Sequence, residues 1–126
     1  MNKKILVLDI DGTLVNDKKE ITPKTKEKLM EMQKAGHVLM LATGRPTPGA
    51  ARFVKELKLD EYGGYLLSYN GGRIMNCKTK EVMYQKVLPK EVIPKLYAFA
   101  KSHKCGIITY EKDTVILGNG IDQYIE

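Results

Sequence analysis

The stretch Lys4-Ile5-Leu6-Val7-Leu8-Asp9-Ile10-Asp11-Gly12-Thr13-Leu14 decides how the rest of the chain is read. Lys4 to Ile10 is apolar without alternation until its aspartates, as expected of a parallel strand covered by other elements. Side chains alternate along a strand, so Asp9 and Asp11 share one side. Two carboxylates so placed can divide labour: one attacks as a nucleophile while the other gives or takes a proton. Both offer the hard oxygens that Mg²⁺ prefers. The plainer alternative is a pair of turn-forming aspartates before a glycine. The apolar strand and the Asp11-Gly12-Thr13-Leu14 continuation favour chemistry.

Outward from this stretch the pattern alternates. Asp17 to Glu20 is a polar loop. Thr22 followed by Pro23 predicts a capped helix running to Ala35, with Thr25, Leu29 and Met32 on its apolar side and Gly36 at its end. Val38 to Ala42 reads as a second strand. Thr47 and Pro48 open a second helix carrying Ala51, Val54 and Leu57, and Tyr65 to Tyr69 reads as a third strand. This order predicts right-handed crossovers and a parallel sheet covered on both faces. After Gly72 the pattern changes to a hairpin, Arg73 to Asn76 with Glu81 to Val87. A helix follows over Lys90 to Ser102, with Leu96, Phe99 and Ala100 inward and Pro94 marking a kink or its true start. A second hairpin pairs Gly106 to Tyr110 with Thr114 to Leu117, and Asn119-Gly120 makes a last turn.

In open parallel sheets ligands bind beyond the carboxyl ends of the strands. Three loops meet there: Asp9 to Thr13, Thr43 to Arg45 and Asn70 to Gly72. The second offers the Thr43 hydroxyl and the Gly44 amide ahead of a helix, a setting that suits an anion. Arg45 either adds charge or stands exposed beside a helix cap. Asn70-Gly71-Gly72 is either a turn or a third wall. His37 and His103, at a strand start and a helix end, read as structural.

With 126 residues there is room for one ordinary domain. A hydrophobic share of 43% argues against disorder. The net charge of +6 comes from lysines scattered among glutamates, which fits a solvated surface with some pull on phosphate esters. No basic stripe interleaved with aromatics points to nucleic acid. No apolar run is long enough for a membrane span or a signal-peptide core, so a cytoplasmic protein is expected. Cys77 and Cys105 match no metal or redox spacing and are expected as free thiols.

Asp9-Ile10-Asp11-Gly12-Thr13-Leu14 and Thr43-Gly44-Arg45-Pro46 resemble the first two motifs of the haloacid dehalogenase superfamily of phosphotransferases. The hairpin after Asn70-Gly71-Gly72 resembles the lead-in to the cap of its Cof-type sugar-phosphatase branch. The resemblance implies an α/β fold: a partial Rossmann-like parallel sheet followed by the start of an α+β cap. Residues 1–87 would be the N-terminal part of the core with its hairpin, and 88–126 the beginning of the cap. It implies a Mg²⁺-dependent phosphatase of small phosphorylated metabolites, sugar phosphates among them. Asp9 would attack phosphorus and Asp11 would serve as general acid and base. Ile10, Thr43, Gly44 and Arg45 would hold the phosphoryl group, and the Asp9 carboxylate and Asp11 carbonyl would hold Mg²⁺. The family's third-motif lysine and fourth-motif acidic pair have no counterpart after Leu117. The chain therefore reads as an N-terminal portion of such an enzyme, with an exposed sheet edge through which it could self-associate. A sugar phosphomutase and an inert fragment binding anions or another chain are the alternatives.

Overall fold

The computed structural model describes residues 2–112 and 114–118, so the expected Asn119-Gly120 turn lies outside the described residues. The chain forms two compact units, Met1–Lys86 and Val87–Glu126. In the first, β1 (Ile5–Asp9), β2 (Val38–Ala42) and β3 (Tyr65–Ser68) run parallel. β4 (Arg73–Asn76) and β5 (Val82–Gln85) continue the same sheet antiparallel, in the order β1-β2-β3-β4-β5.

Helix α1 (Pro23–Lys34) begins where Thr22 and Pro23 place it, with Thr22 Oγ1 accepting the Thr25 N–H at 3.4 Å. Helix α2 (Thr47–Glu56) starts one residue earlier than a Thr47 cap would have it. Pro46 is its cap, without a side-chain bond, and Thr47 is already helical. Its buried stripe is Ala50, Phe53 and Val54, continued by Leu57. Ala51 is exposed, contrary to the expected face. Spacing of i, i+3, i+4, i+7 keeps a stripe on one side of a helix, whereas steps of three from Ala51 drift off it. A short helix that the sequence did not suggest, α3 (Leu59–Tyr62), buries Leu59.

Leu39 and Leu41 of β2 and Leu66 of β3 are buried with Leu29, Phe53, Val54, Leu57 and Leu59 in one core. Both long helices thus cover one sheet face, not two. Strands laid down in the order β1-β2-β3, joined by crossovers of one hand, put successive helices on the same side. Gln33 supports this packing: its buried amide donates to the Leu57 carbonyl at 2.9 Å. Cys77 is also in this core, and burial pushes its thiol up to about 11. Cys105 is exposed, and both thiols are free.

β1 pairs only with β2 among the described residues, and Ile5 and Val7 are 63% and 53% exposed. The β4–β5 hairpin extends the sheet on the β3 side, so among the described residues no strand pairs with the outer edge of β1. In the second unit Lys90–Val92 is a 3₁₀ turn and α4 (Ile93–Ser102) follows, so Pro94 marks the true start. β6 (Ile107–Glu111) pairs antiparallel with β7 (Thr114–Gly118). Ala100 is buried, but Phe99 is exposed and stacks on the His103 ring at 4.2 Å. No helix among the described residues is long and apolar enough to cross a membrane.

Candidate active site

The carboxyl ends of β1, β2 and β3 lie on one side because the three strands are parallel. Just past β1 the chain coils tightly. The N–H groups of Leu14 and Val15 donate to the Ile10 carbonyl at 3.1 Å, and Gly12 turns with φ of 81°. This coil buries Ile10, Leu14 and Val15 while Asp9 stays exposed and Asp11 half-buried. One Asp9 oxygen accepts the Ile10 N–H at 2.8 Å, and the other has no partner among the described residues.

Asp11 is held by two cations. Arg45 grips it with two bonds, Nε to Oδ2 at 2.9 Å and Nη2 to Oδ1 at 2.7 Å. Lys19 Nζ reaches Oδ1 at 2.9 Å. The hydrogen bonds from Arg45, then from Lys19, hold the Asp11 carboxyl well below the usual carboxylate range, and Asp11 in turn raises Arg45. Arg45 is itself positioned by Nη1 donating to the Gly49 carbonyl at 3.1 Å and by the Phe53 ring at 5.3 Å. Its guanidinium thus faces Asp11.

Lys19 was not legible as a site residue. Asn16 folds the polar loop into a tight turn, accepting the N–H groups of Lys18 and Glu20 at 3.0 and 3.1 Å, with Lys19 left-handed. Only that turn returns a cation eight residues downstream to Asp11. Arg52 adds a donor bond to the Lys19 carbonyl at 3.0 Å.

On the β2 side, Thr43 is buried, and its hydroxyl accepts the Arg45 N–H at 3.1 Å, leaving its own hydrogen to donate. The Gly44 N–H has no partner among the described residues. A helix start, an open amide and a hydroxyl lie together beside Asp9's strand, an arrangement that suits a phosphoryl group.

For a divalent ion, two oxygen donors stand at the end of β1: the open Asp9 oxygen and the Asp11 carbonyl, which accepts no hydrogen bond among the described residues. Hard, partly hydrated donors of this kind fit Mg²⁺, which keeps several waters. The described residues hold no group of three or more His, Cys, Asp or Glu arranged for a metal.

Residues 6–126 match the family model for haloacid dehalogenase-like hydrolases. The chain belongs to the haloacid dehalogenase-like hydrolases. A Bacillus subtilis (strain 168) member named "Putative phosphatase YxeH" is 37% identical over 94 residues, covering 75% of this chain and 35% of its own. The crystal structure of a haloacid dehalogenase-like hydrolase from Bacteroides thetaiotaomicron superposes with a TM-score of 0.88 at 46% identity. It is matched over 99% of this chain and 47% of that one. A subclass IIB sugar phosphatase, BT4131, gives a TM-score of 0.72 at 26% identity over 92% of this chain and 44% of its own. The chain thus spans about a third of the length of that B. subtilis relative and under half of these two solved members of the haloacid dehalogenase-like hydrolases.

Proposed function

We propose that this chain carries the phosphoryl-handling part of a Mg²⁺-dependent phosphatase acting on small phosphorylated metabolites, sugar phosphates included. The observation that carries the reading is an exposed Asp9 carboxylate beside the open Gly44 amide and Thr43 hydroxyl, with Asp11 fixed two residues further on. Asp9 attacks phosphorus in line, and its oxygen–phosphorus bond forms as the ester oxygen leaves. Arg45 and Lys19 hold Asp11 ionised, so substrate must draw them off and let Asp11 take up a proton before it gives that proton to the ester oxygen; Asp11 then takes one from the hydrolytic water. The Ile10 and Gly44 amides and the Thr43 hydroxyl take the phosphoryl oxygens. Arg45 carries charge to the same place while orienting Asp11. When bound, Mg²⁺ supplies charge neutralisation between Asp9 and the phosphoryl group, held by the Asp9 carboxylate and the Asp11 carbonyl.

The test is release of p-nitrophenol from p-nitrophenyl phosphate by the purified chain. The expected result is turnover in Mg²⁺ buffer that falls to the blank when EDTA is added. Equal rates with and without EDTA overturn the Mg²⁺ reading. Absence of any turnover favours the second reading, an anion-binding portion without catalysis. That reading draws on the lack of a three-acid metal group among the described residues.

The outer edge of β1 supports a further part of the proposal: the chain pairs with itself there. A strand with unpaired N–H and C=O groups and exposed Ile5 and Val7 is a template for another strand. Light scattering is expected to give a mass above that of one chain, and Val7→Lys, a charge on the edge, is expected to return the monomer. A wild-type monomer at high concentration overturns it.

A further inference from the structure

Tyr69, Asn70 and Gly71 follow β3 with φ of 53°, 55° and 93°, three left-handed residues in succession. For residues with a side chain this conformation costs about 1–2 kcal/mol each, with asparagine the more tolerant. The run is held in place by the second loop. Tyr69 N–H donates to the Arg45 carbonyl at 2.9 Å, and Asn70 N–H donates to the Thr43 carbonyl at 3.1 Å. Held this way, the Asn70 side chain lies beside Gly44, its oxygen nearest. A Cβ built on Gly44 would stand 2.7 Å from Asn70 Oδ1 and 3.5 Å from Nδ2. Yet Asn70 is exposed, and its amide bonds to nothing among the described residues. Core packing therefore does not explain the strained backbone, and strain of this kind collects where a ligand is met.

We infer that Asn70 is a phosphate-binding residue of this site, its side-chain NH₂ donating to a phosphoryl oxygen alongside the Gly44 N–H and Thr43 hydroxyl. The inference rests on the phosphoryl-handling role proposed above and adds its third wall. A neutral double donor suits this place. It binds an anion without adding a third cation to the pair already on Asp11, and it does not neutralise Asp9. The close approach also explains why position 44 is glycine: a methyl there would displace the amide that Asn70 presents.

The test is a titration of the ¹⁵N-labelled chain with inorganic phosphate in Mg²⁺ buffer, followed by NMR. The expected result is that the Asn70 side-chain NH₂ pair and the Gly44 and Ile10 amides shift together with one midpoint. Asn70→Gly keeps the left-handed backbone, so it should fold with an unchanged spectrum elsewhere. It should bind phosphate about tenfold more weakly, as for loss of one hydrogen bond to a charged group. Asn70→Asp keeps the shape but presents a carboxylate, and should weaken binding further. Asn70→Gly binding phosphate as well as wild type, or Gly44 and Ile10 shifting while the Asn70 pair stays fixed, overturns this inference alone. Wild type showing no shift at any of the three overturns the phosphoryl-handling reading and this inference with it.

Discussion

Asp9→Asn should reduce hydrolysis of p-nitrophenyl phosphate by this chain to the blank. An amide lacks the charged oxygen that attacks phosphorus and cannot form the acyl phosphate. The substitution is otherwise gentle. Asp9 is exposed, forms no ion pair among the described residues, and its bond from the Ile10 N–H can be accepted equally by an asparagine oxygen. Asp11→Asn is the instructive contrast. It should slow turnover by about 10²–10⁴-fold, the usual worth of general acid–base help. It also releases Arg45 and Lys19, so it should disturb the local structure where Asp9→Asn does not. Full activity in Asp9→Asn, measured as phosphate release, rejects Asp9 as the nucleophile.

Gly64→Ala should lower stability by about 3 kcal/mol, the upper end for forcing an extra methyl into a packed core. The added Cβ would stand 2.5 Å from the Leu39 carbonyl oxygen and 2.8 Å from Leu59 Cδ2. Leu39 is fully buried in β2, and Leu59 is fully buried beside it, so neither can move aside without opening the core. Gly64 also links two elements, donating to the Leu59 carbonyl and accepting the Cys77 N–H at 2.9 Å. Gly36→Ala is the matched control. Its φ is 97°, but a Cβ there meets nothing within 4 Å, so only conformational strain of about 1 kcal/mol applies. Urea unfolding should show a much lower midpoint for Gly64→Ala at unchanged slope. A midpoint equal to that of Gly36→Ala would mean that β2 and the start of β3 do not approach this closely.

These two predictions draw on features of unequal visibility. The strand Ile5–Asp9 and its aspartates were legible because an unbroken apolar run that ends in Asp-x-Asp-Gly has few other readings. The start of α1 was legible for the same local reason, a threonine cap before proline. The Thr43–Gly44 loop was placed correctly at the end of β2, since strand direction alone decides it. What stayed hidden depends on distance. Arg45 is 34 residues from Asp11 in sequence, and nothing local says that its guanidinium turns back to that carboxylate. Lys19 needed the Asn16 turn to reach the same group. Phe53 was passed over in favour of Ala51 because helical steps of three mimic a stripe over two turns. Phe99 was expected on the apolar side of its helix beside Ala100, yet it is exposed and stacks on the His103 ring.

The fully buried Cys77 gives the first unit a built-in clock. A thiol kept protonated and out of water cannot react with an alkylating reagent until the sheet around it opens. The labelling rate at this position therefore reads the opening equilibrium, or the opening rate when the reagent outruns reclosure. Cys105, exposed in the other unit, reacts at the rate of an open thiol and calibrates the reagent within the same molecule. Stability of the first unit can thus be followed by mass spectrometry alone, in dilute native buffer, without denaturant or an optical probe.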